Sequence, residues 1–275
     1  MKEKNKLSLE NLDKLLRDNP NDDNLLYCKG FALLELDNNQ EAINWFDKAI
    51  KINPENALAW HGKGLALGSL EKYDEAVKCF DKTIELNPYN EIAWRERGMA
   101  YILIDKYLEA LRDFNRALRI NPDNETAWHG KGVALRCLGR YEEAIECFDE
   151  ALKINPSLVN VLYNKGTALL KLGLDEEERI CLNIALGKNP EFKDGWNQKA
   201  ATLLKNEKYE EALQYFNKAL KLRTGNVEVL LKKGIALEKL GRFKEALSCF
   251  EKILKIDSKH EETLENKEML LKRME

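Results

Sequence analysis

Proline sets the frame of this chain. Its six prolines, Pro20, Pro54, Pro88, Pro122, Pro156 and Pro190, stand 34 residues apart, and each follows an asparagine. A period of that length, held without a slip, describes stacked copies of one supersecondary unit. Further columns keep the step. One reads Leu26, Trp60, Trp94, Trp128, Leu162, Trp196, Leu230. Four residues on stand Gly30, Gly64, Gly98, Gly132, Gly166, Ala200, Gly234. A third column reads Ala42, Ala76, Ala110, Ala144, Glu178, Ala212, Ala246, and a fourth Phe46, Phe80, Phe114, Phe148, Leu182, Phe216, Phe250.

The spacing within a unit predicts two helices. Trp60, Gly64 and Leu67 share one helical face, and Ala76, Phe80 and Thr83 share another. Between them Gly139, Gly173 and Gly241 fall where a helix end takes a left-handed residue. Proline then stops the second helix, since it lacks an N–H and crowds the turn before it. The small Gly64 and Ala76 let two backbones approach. Trp60 and Phe80 carry apolar surface that one hairpin cannot bury, so each unit needs its neighbour.

This pattern resembles the tetratricopeptide repeat (TPR) family, and the resemblance runs in phase from Asp23 to His260. It implies an all-α, right-handed α-α superhelix, a solenoid of antiparallel helical hairpins with about sixteen helices. The organisation expected is a tail and capping helix over 1–22, seven repeats (23–56, 57–90, 91–124, 125–158, 159–192, 193–226 and 227–260) and a capping helix over 261–275. Within the first segment Ser8–Asp18 reads as the helix and residues 1–7 as disordered. Glu261–Arg273 reads as a polar cap, with Glu268 in the glycine column tolerable only if no helix packs on it.

Composition narrows the function. Charged residues make up 33% and apolar residues 44%, too apolar for disorder and too charged for a membrane protein. The most apolar run, Met99 to Ile104, is far shorter than a membrane span. The basic start has no apolar stretch behind it, which argues against a secretory signal. Six cysteines without a C-x-x-C pair point to reduced thiols and a cytoplasmic protein.

No reactive constellation is visible: no phosphate-cradling loop, no nucleophile elbow, no H-x-x-x-H pair. His61 and His129 are repeat equivalents, and Cys79, Cys147, Cys181 and Cys249 share a column that suits a small apolar residue. No enzyme, cofactor or metal is therefore expected. The basic column Lys29, Lys63, Arg97, Lys131, Lys165, Lys199, Lys233 could track a phosphate backbone. With a net charge of -3, nucleic-acid binding is disfavoured, and these stems are expected to lie along the adjoining repeat with their heads in water.

The expected function is a non-enzymatic protein-protein interaction scaffold. The resemblance implies that the first helix of each hairpin lines a concave groove, with Tyr27, Phe31, Leu58, His61, Leu65, Ile92, Arg95, Met99, His129, Val133, Tyr163 and Asn197 on its surface. Apolar side chains beside imidazole and guanidinium suit an extended peptide or helix with apolar and acidic residues. The Lys and Asn clamp by which chaperone-binding relatives hold a carboxylate is not matched in any three successive units. Self-association into an oligomer is the second expectation. Repeat five departs from the pattern through Leu162, Asp175, Glu178 and Leu182. It reads as local drift or as a soft joint.

Overall fold

The structure is a computed structural model that describes the backbone of residues 2–274 and the side chains of residues 9–274. Among the described residues there are sixteen helices and no strand. The chain forms two compact units, Met1–Pro156 and Ser157–Glu275. The first holds α1 (Lys2–Asp18) and the hairpins α2 (Asp23–Leu34) with α3 (Asn39–Ile52), α4 (Ala57–Ser69) with α5 (Tyr73–Leu86), α6 (Glu91–Leu103) with α7 (Tyr107–Ile120) and α8 (Glu125–Cys137) with α9 (Tyr141–Ile154). The second holds α10 (Val159–Lys171) with α11 (Asp175–Lys188), α12 (Lys193–Lys205) with α13 (Tyr209–Leu222), α14 (Val227–Lys239) with α15 (Phe243–Ile256), and α16 (Glu261–Met274). Within each unit a hairpin packs on the next, as in an α-solenoid.

Each turn inside a hairpin has one geometry. Asp37, Glu71, Asp105, Gly139, Gly173, Glu207 and Gly241, one per unit, all take positive φ. The following N–H closes back on the helix, as in Arg140 N to Leu135 O at 2.9 Å, which defines a Schellman end. Glycine meets the demand in three units. In the other four an acidic residue holds a left-handed conformation that L side chains adopt only at a cost. The exit turn is built differently. Asn53, Asn87, Asn121 and Asn189 take the extended conformation that a following proline imposes. Their side-chain oxygens accept the N–H two residues on, at 3.1–3.2 Å. The tryptophan column locks that turn. Trp60 donates its indole N–H to Pro54 O at 2.9 Å, and Trp94, Trp128 and Trp196 do the same to Pro88, Pro122 and Pro190.

The phenylalanine column forms the interior. Phe46, Phe114, Phe148, Phe216 and Phe250 are fully buried. Apart from Phe216, whose unit has Ala200 in the glycine column, each ring occupies the space that a glycine leaves. A methyl on Gly64 would stand 2.6 Å from the Phe80 ring. Phe46 and Phe114 are gripped from both sides, since methyls on Gly62 and Gly130 of the next hairpin would meet them at 2.5 and 2.4 Å.

Two terminal expectations need correction. Helix α1 starts at Lys2 rather than Ser8, so the backbone of residues 2–7 is helical rather than disordered. The Lys, Glu and Leu of this stretch favour helix, and the helix continues to Leu16, which is buried on the core of the first hairpins. The last helix is not a uniformly polar cap: Leu264, Met269, Leu271 and Met274 are exposed on it. Glu268 does stand in solvent, bonded to Lys272.

Repeat five keeps the hairpin but loosens it. Glu178 is 1% exposed and accepts from Thr202 Oγ1 at 2.9 Å and Gln198 Nε2 at 3.3 Å. It finds partners rather than water. A methyl on Gly166 would be 3.6 Å from the Glu178 chain, so the glycine is not gripped here. The α11–α12 seam is the least closely packed of the consecutive pairs within either unit. A cavity of about 250 Å³ opens beside it, lined by Asp175, Glu178, Lys199, Thr202 and Asn206.

Candidate functional site

The first helices α2, α4, α6 and α8 present the positions that packing leaves free. Leu58, Ile92 and Phe31 are exposed at 51%, 43% and 38%, large fractions for apolar side chains. Leu65, Arg95, Met99 and Val133 are half-buried. The column of Tyr27, His61 and His129 does not point straight outward. His61 lies 5.7 Å from the Phe80 ring, His129 6.0 Å from Phe148 and Tyr27 6.1 Å from Phe46. These rings form a second layer over the core and show one edge to the surface.

That placement weakens the hold of both imidazoles on a proton. Burial pushes the His61 imidazole down, Arg95 pushes it further, and Glu96 only partly opposes. Burial lowers His129 as well, with Arg136 adding to the effect. Both are neutral near pH 7 and offer hydrogen bonds rather than charge. Arg95 in turn donates to Glu96 at 2.5 Å. The acidic preference read from imidazole and guanidinium is therefore weaker than the residue types suggest. His61 Nδ1 is buried and has no hydrogen-bond partner.

The structure brings two of the expected residues together. Leu65 and Met99 line one cavity of about 320 Å³ between the second and third hairpins, with Gly68, Ser69, Tyr73, Phe80, Glu96 and Leu103. Gly68, Ser69 and Leu103 were not singled out from sequence. Ser69 and Leu103 stand four residues after Leu65 and Met99, so the same helical face would have found them. In the second unit Tyr163 meets Phe192 edge-on at 5.3 Å, and Asn197 Oδ1 is buried without a partner.

The basic column is turned to internal use. Lys29 bonds Asp13, Lys63 bonds Asp47 at 2.6 Å and Lys199 bonds Asn183 at 2.6 Å, each sixteen residues back in the preceding helix. Arg97 is the strongest case. It grips both oxygens of the buried Asp113 at 2.7 Å and reaches Asp81 at 2.5 Å. Burial works against its charge, but the bonds to Asp113 and Asp81 outweigh burial and hold it protonated. The guanidinium also covers Trp94 at 4.8 Å, as Lys29 covers Trp45 at 3.8 Å. These heads are thus engaged by carboxylates and rings rather than simply released into water. The shared cysteines are buried, and burial pushes the Cys79 and Cys147 thiols up to about 11, which leaves them inert at neutral pH.

A family model described as tetratricopeptide repeat matches residues 57–90, 92–124 and 126–158, a second of the same description matches 194–259, and one described as TPR repeat matches 32–71. Together these ranges cover more than half of the sequence, and the chain belongs to the tetratricopeptide repeat family. Similar solved structures include YrrB, described as a TPR protein with an unusual peptide-binding site, at 22% identity over 68% of this chain and 97% of that one, TM-score 0.58. The Cut9–Hcn1 hetero-tetramer of APC/C is similar at 17% identity over 96% of this chain and 52% of that one, TM-score 0.73. PilF of Pseudomonas aeruginosa is similar at 17% identity over 75% and 94%, TM-score 0.66. At these identities the likeness shows the fold alone. No curated protein sequence matches the chain. Among the described residues no helix is long and apolar enough to cross a membrane.

Proposed function

We propose that this chain is a non-enzymatic protein-protein interaction scaffold whose first-helix face binds a peptide or helix of a partner protein. The observation that carries the reading is the cavity of about 320 Å³ between α4 and α6. Its lining of Leu65, Met99 and Leu103 is apolar, and the His61 ring lies 5.7 Å from Phe80, another lining residue. A groove that keeps an open apolar cavity is suited to a large apolar anchor. The family points the same way, since its repeats serve as protein-binding scaffolds, and YrrB is described as having a peptide-binding site. Free thiols without a paired cysteine suit a reducing compartment, and we read the protein as cytoplasmic.

The test is a random peptide display library panned against the purified chain and against Leu65→Glu/Met99→Glu. Binders to the wild type should share one large apolar residue and should lose the double variant while its helical content is unchanged. Binders that hold both chains equally would show that the cavity is not the site.

A further inference from the structure

Helix α11 breaks the surface pattern of the array as well as its core pattern. Its outer face carries Ile180 and Ile184, exposed at 48% and 44%. At the Ile184 position the other six units place only Lys, Arg or Glu, for example Lys82 and Glu150. At the Ile180 position they place only charged or polar residues, for example Arg112 and Gln214. A third position on this stripe, Gly187, is Lys, Arg or Glu in every other unit. Leu174, 40% exposed at the N-cap of α11, likewise replaces Asn, Lys or Arg. Random drift of the unit does not place its changes in one line. Residues 180, 184 and 187 follow the i, i+4, i+7 spacing of a single helical face.

Gly187 is the telling residue. A methyl there would meet nothing within 4 Å, so packing inside the chain does not ask for glycine, and glycine weakens a helix. Its use is to let something outside come close, as small residues do at helix–helix contacts. A helix that is apolar on two faces is one that is covered on two faces.

We propose that the outer face of α11 is a docking surface for a second copy of this chain, joined antiparallel about a twofold axis. The charges of the face select that occupant. Glu177 precedes the isoleucines and Lys188 follows Gly187, and both are exposed. They stand eleven residues apart, about three helical turns, and so lie on one edge of the face. An antiparallel twofold pair sets Ile180 against Ile184 of the other copy and, on that edge, Glu177 against Lys188. Each contact then occurs twice, as an isologous interface requires. The acidic N-terminal end of one helix also meets the basic C-terminal end of the other, which the helix dipoles favour. One helix face is small against the ~1,000 Å² of a tight interface, so the dimer is weak and concentration-dependent. This inference stands apart from the groove, which lies on other helices.

Sedimentation of the full chain at concentrations up to about 100 µM tests it. The wild type should pass from monomer to dimer. Ile180→Lys/Ile184→Glu should weaken the dimer about tenfold or more with helical content unchanged, because both residues are exposed, and Gly187→Lys should do the same. Glu177→Lys and Lys188→Glu should each weaken it, and both changes in one chain should restore it. A wild type that stays monomeric throughout, which would leave the face to a different partner, overturns the proposal. So does a dimer that ignores the isoleucine pair or a charge swap that fails to restore it.

Discussion

The glycines of this chain permit a sharp test of its packing, because the same substitution should have opposite signs at two of them. At Gly130 an added methyl would stand 2.4 and 2.5 Å from two carbons of the Phe114 ring. Ordinary carbon contacts lie near 3.5–4.0 Å, so the overlap exceeds ~1 Å. The ring is fully buried and is held by Gly98 on its other side, so it has nowhere to go. Overpacking of this kind costs about 1–3 kcal/mol, and the helix propensity of alanine returns up to about 1. Gly130→Ala should therefore destabilise by about 1–2 kcal/mol. At Gly68 the methyl would meet nothing within 4 Å, and only the propensity gain of about 0.5–1 kcal/mol remains. Urea unfolding followed by circular dichroism measures both. Because the repeats are coupled only to neighbours, hydrogen exchange in residues 93–135 should be read alongside, with protection lost in Gly130→Ala first. A Gly130→Ala chain as stable as the wild type would refute the idea that close approach of the Phe114 ring, rather than helix geometry, fixes the glycine at this position.

Other outcomes follow from the same structure. Arg97→Ala leaves the buried Asp113 without its two guanidinium hydrogen bonds and should cost about 3 kcal/mol in unfolding free energy, visible as an earlier urea midpoint. Glu71→Gly and Glu207→Gly relieve left-handed strain and should each add about 0.5–1 kcal/mol, whereas Gly139→Glu should lose a similar amount in the same assay. Burial raises the Glu178 carboxyl, against the pull of Thr202 and Gln198. A raised acid favours folding fully below its unfolded value, about 4.3, and loses that contribution as pH climbs through the folded one. Glu178→Gln keeps the bonds without the charge, so it should be more stable than the wild type at pH 7, by about 1 kcal/mol, with the gap closing below about pH 4. A gap that stays constant over that range would mean the carboxylate is not penalised by burial.

The period, the hairpin and the class of fold are legible from residue order alone. Those depend on short-range rules: proline ends a helix, glycine permits a left-handed turn, and the Trp, Gly, Ala and Phe columns share helical faces. Gly139, Gly173 and Gly241 were readable in advance because glycine announces positive φ. The four acidic residues in the same role were not, since only the closed Schellman geometry forces them there. Leu65 and Met99 were readable as equivalent positions on successive first helices, yet the cavity they share exists only because two hairpins meet. The electrostatics of the histidines also depend on tertiary contacts. His61 is an ordinary imidazole in the sequence, and it is burial over the Phe80 ring that pushes its proton affinity down. The basic column shows the same division. Seven positive residues in register look like a surface for an anion, and the helix sixteen residues back supplies the carboxylate or amide oxygen that engages Lys29, Lys63, Arg97 and Lys199. Periodicity reports which residues are equivalent. What each of them touches is fixed by the neighbouring hairpin, and electrostatics and cavities depend on that contact.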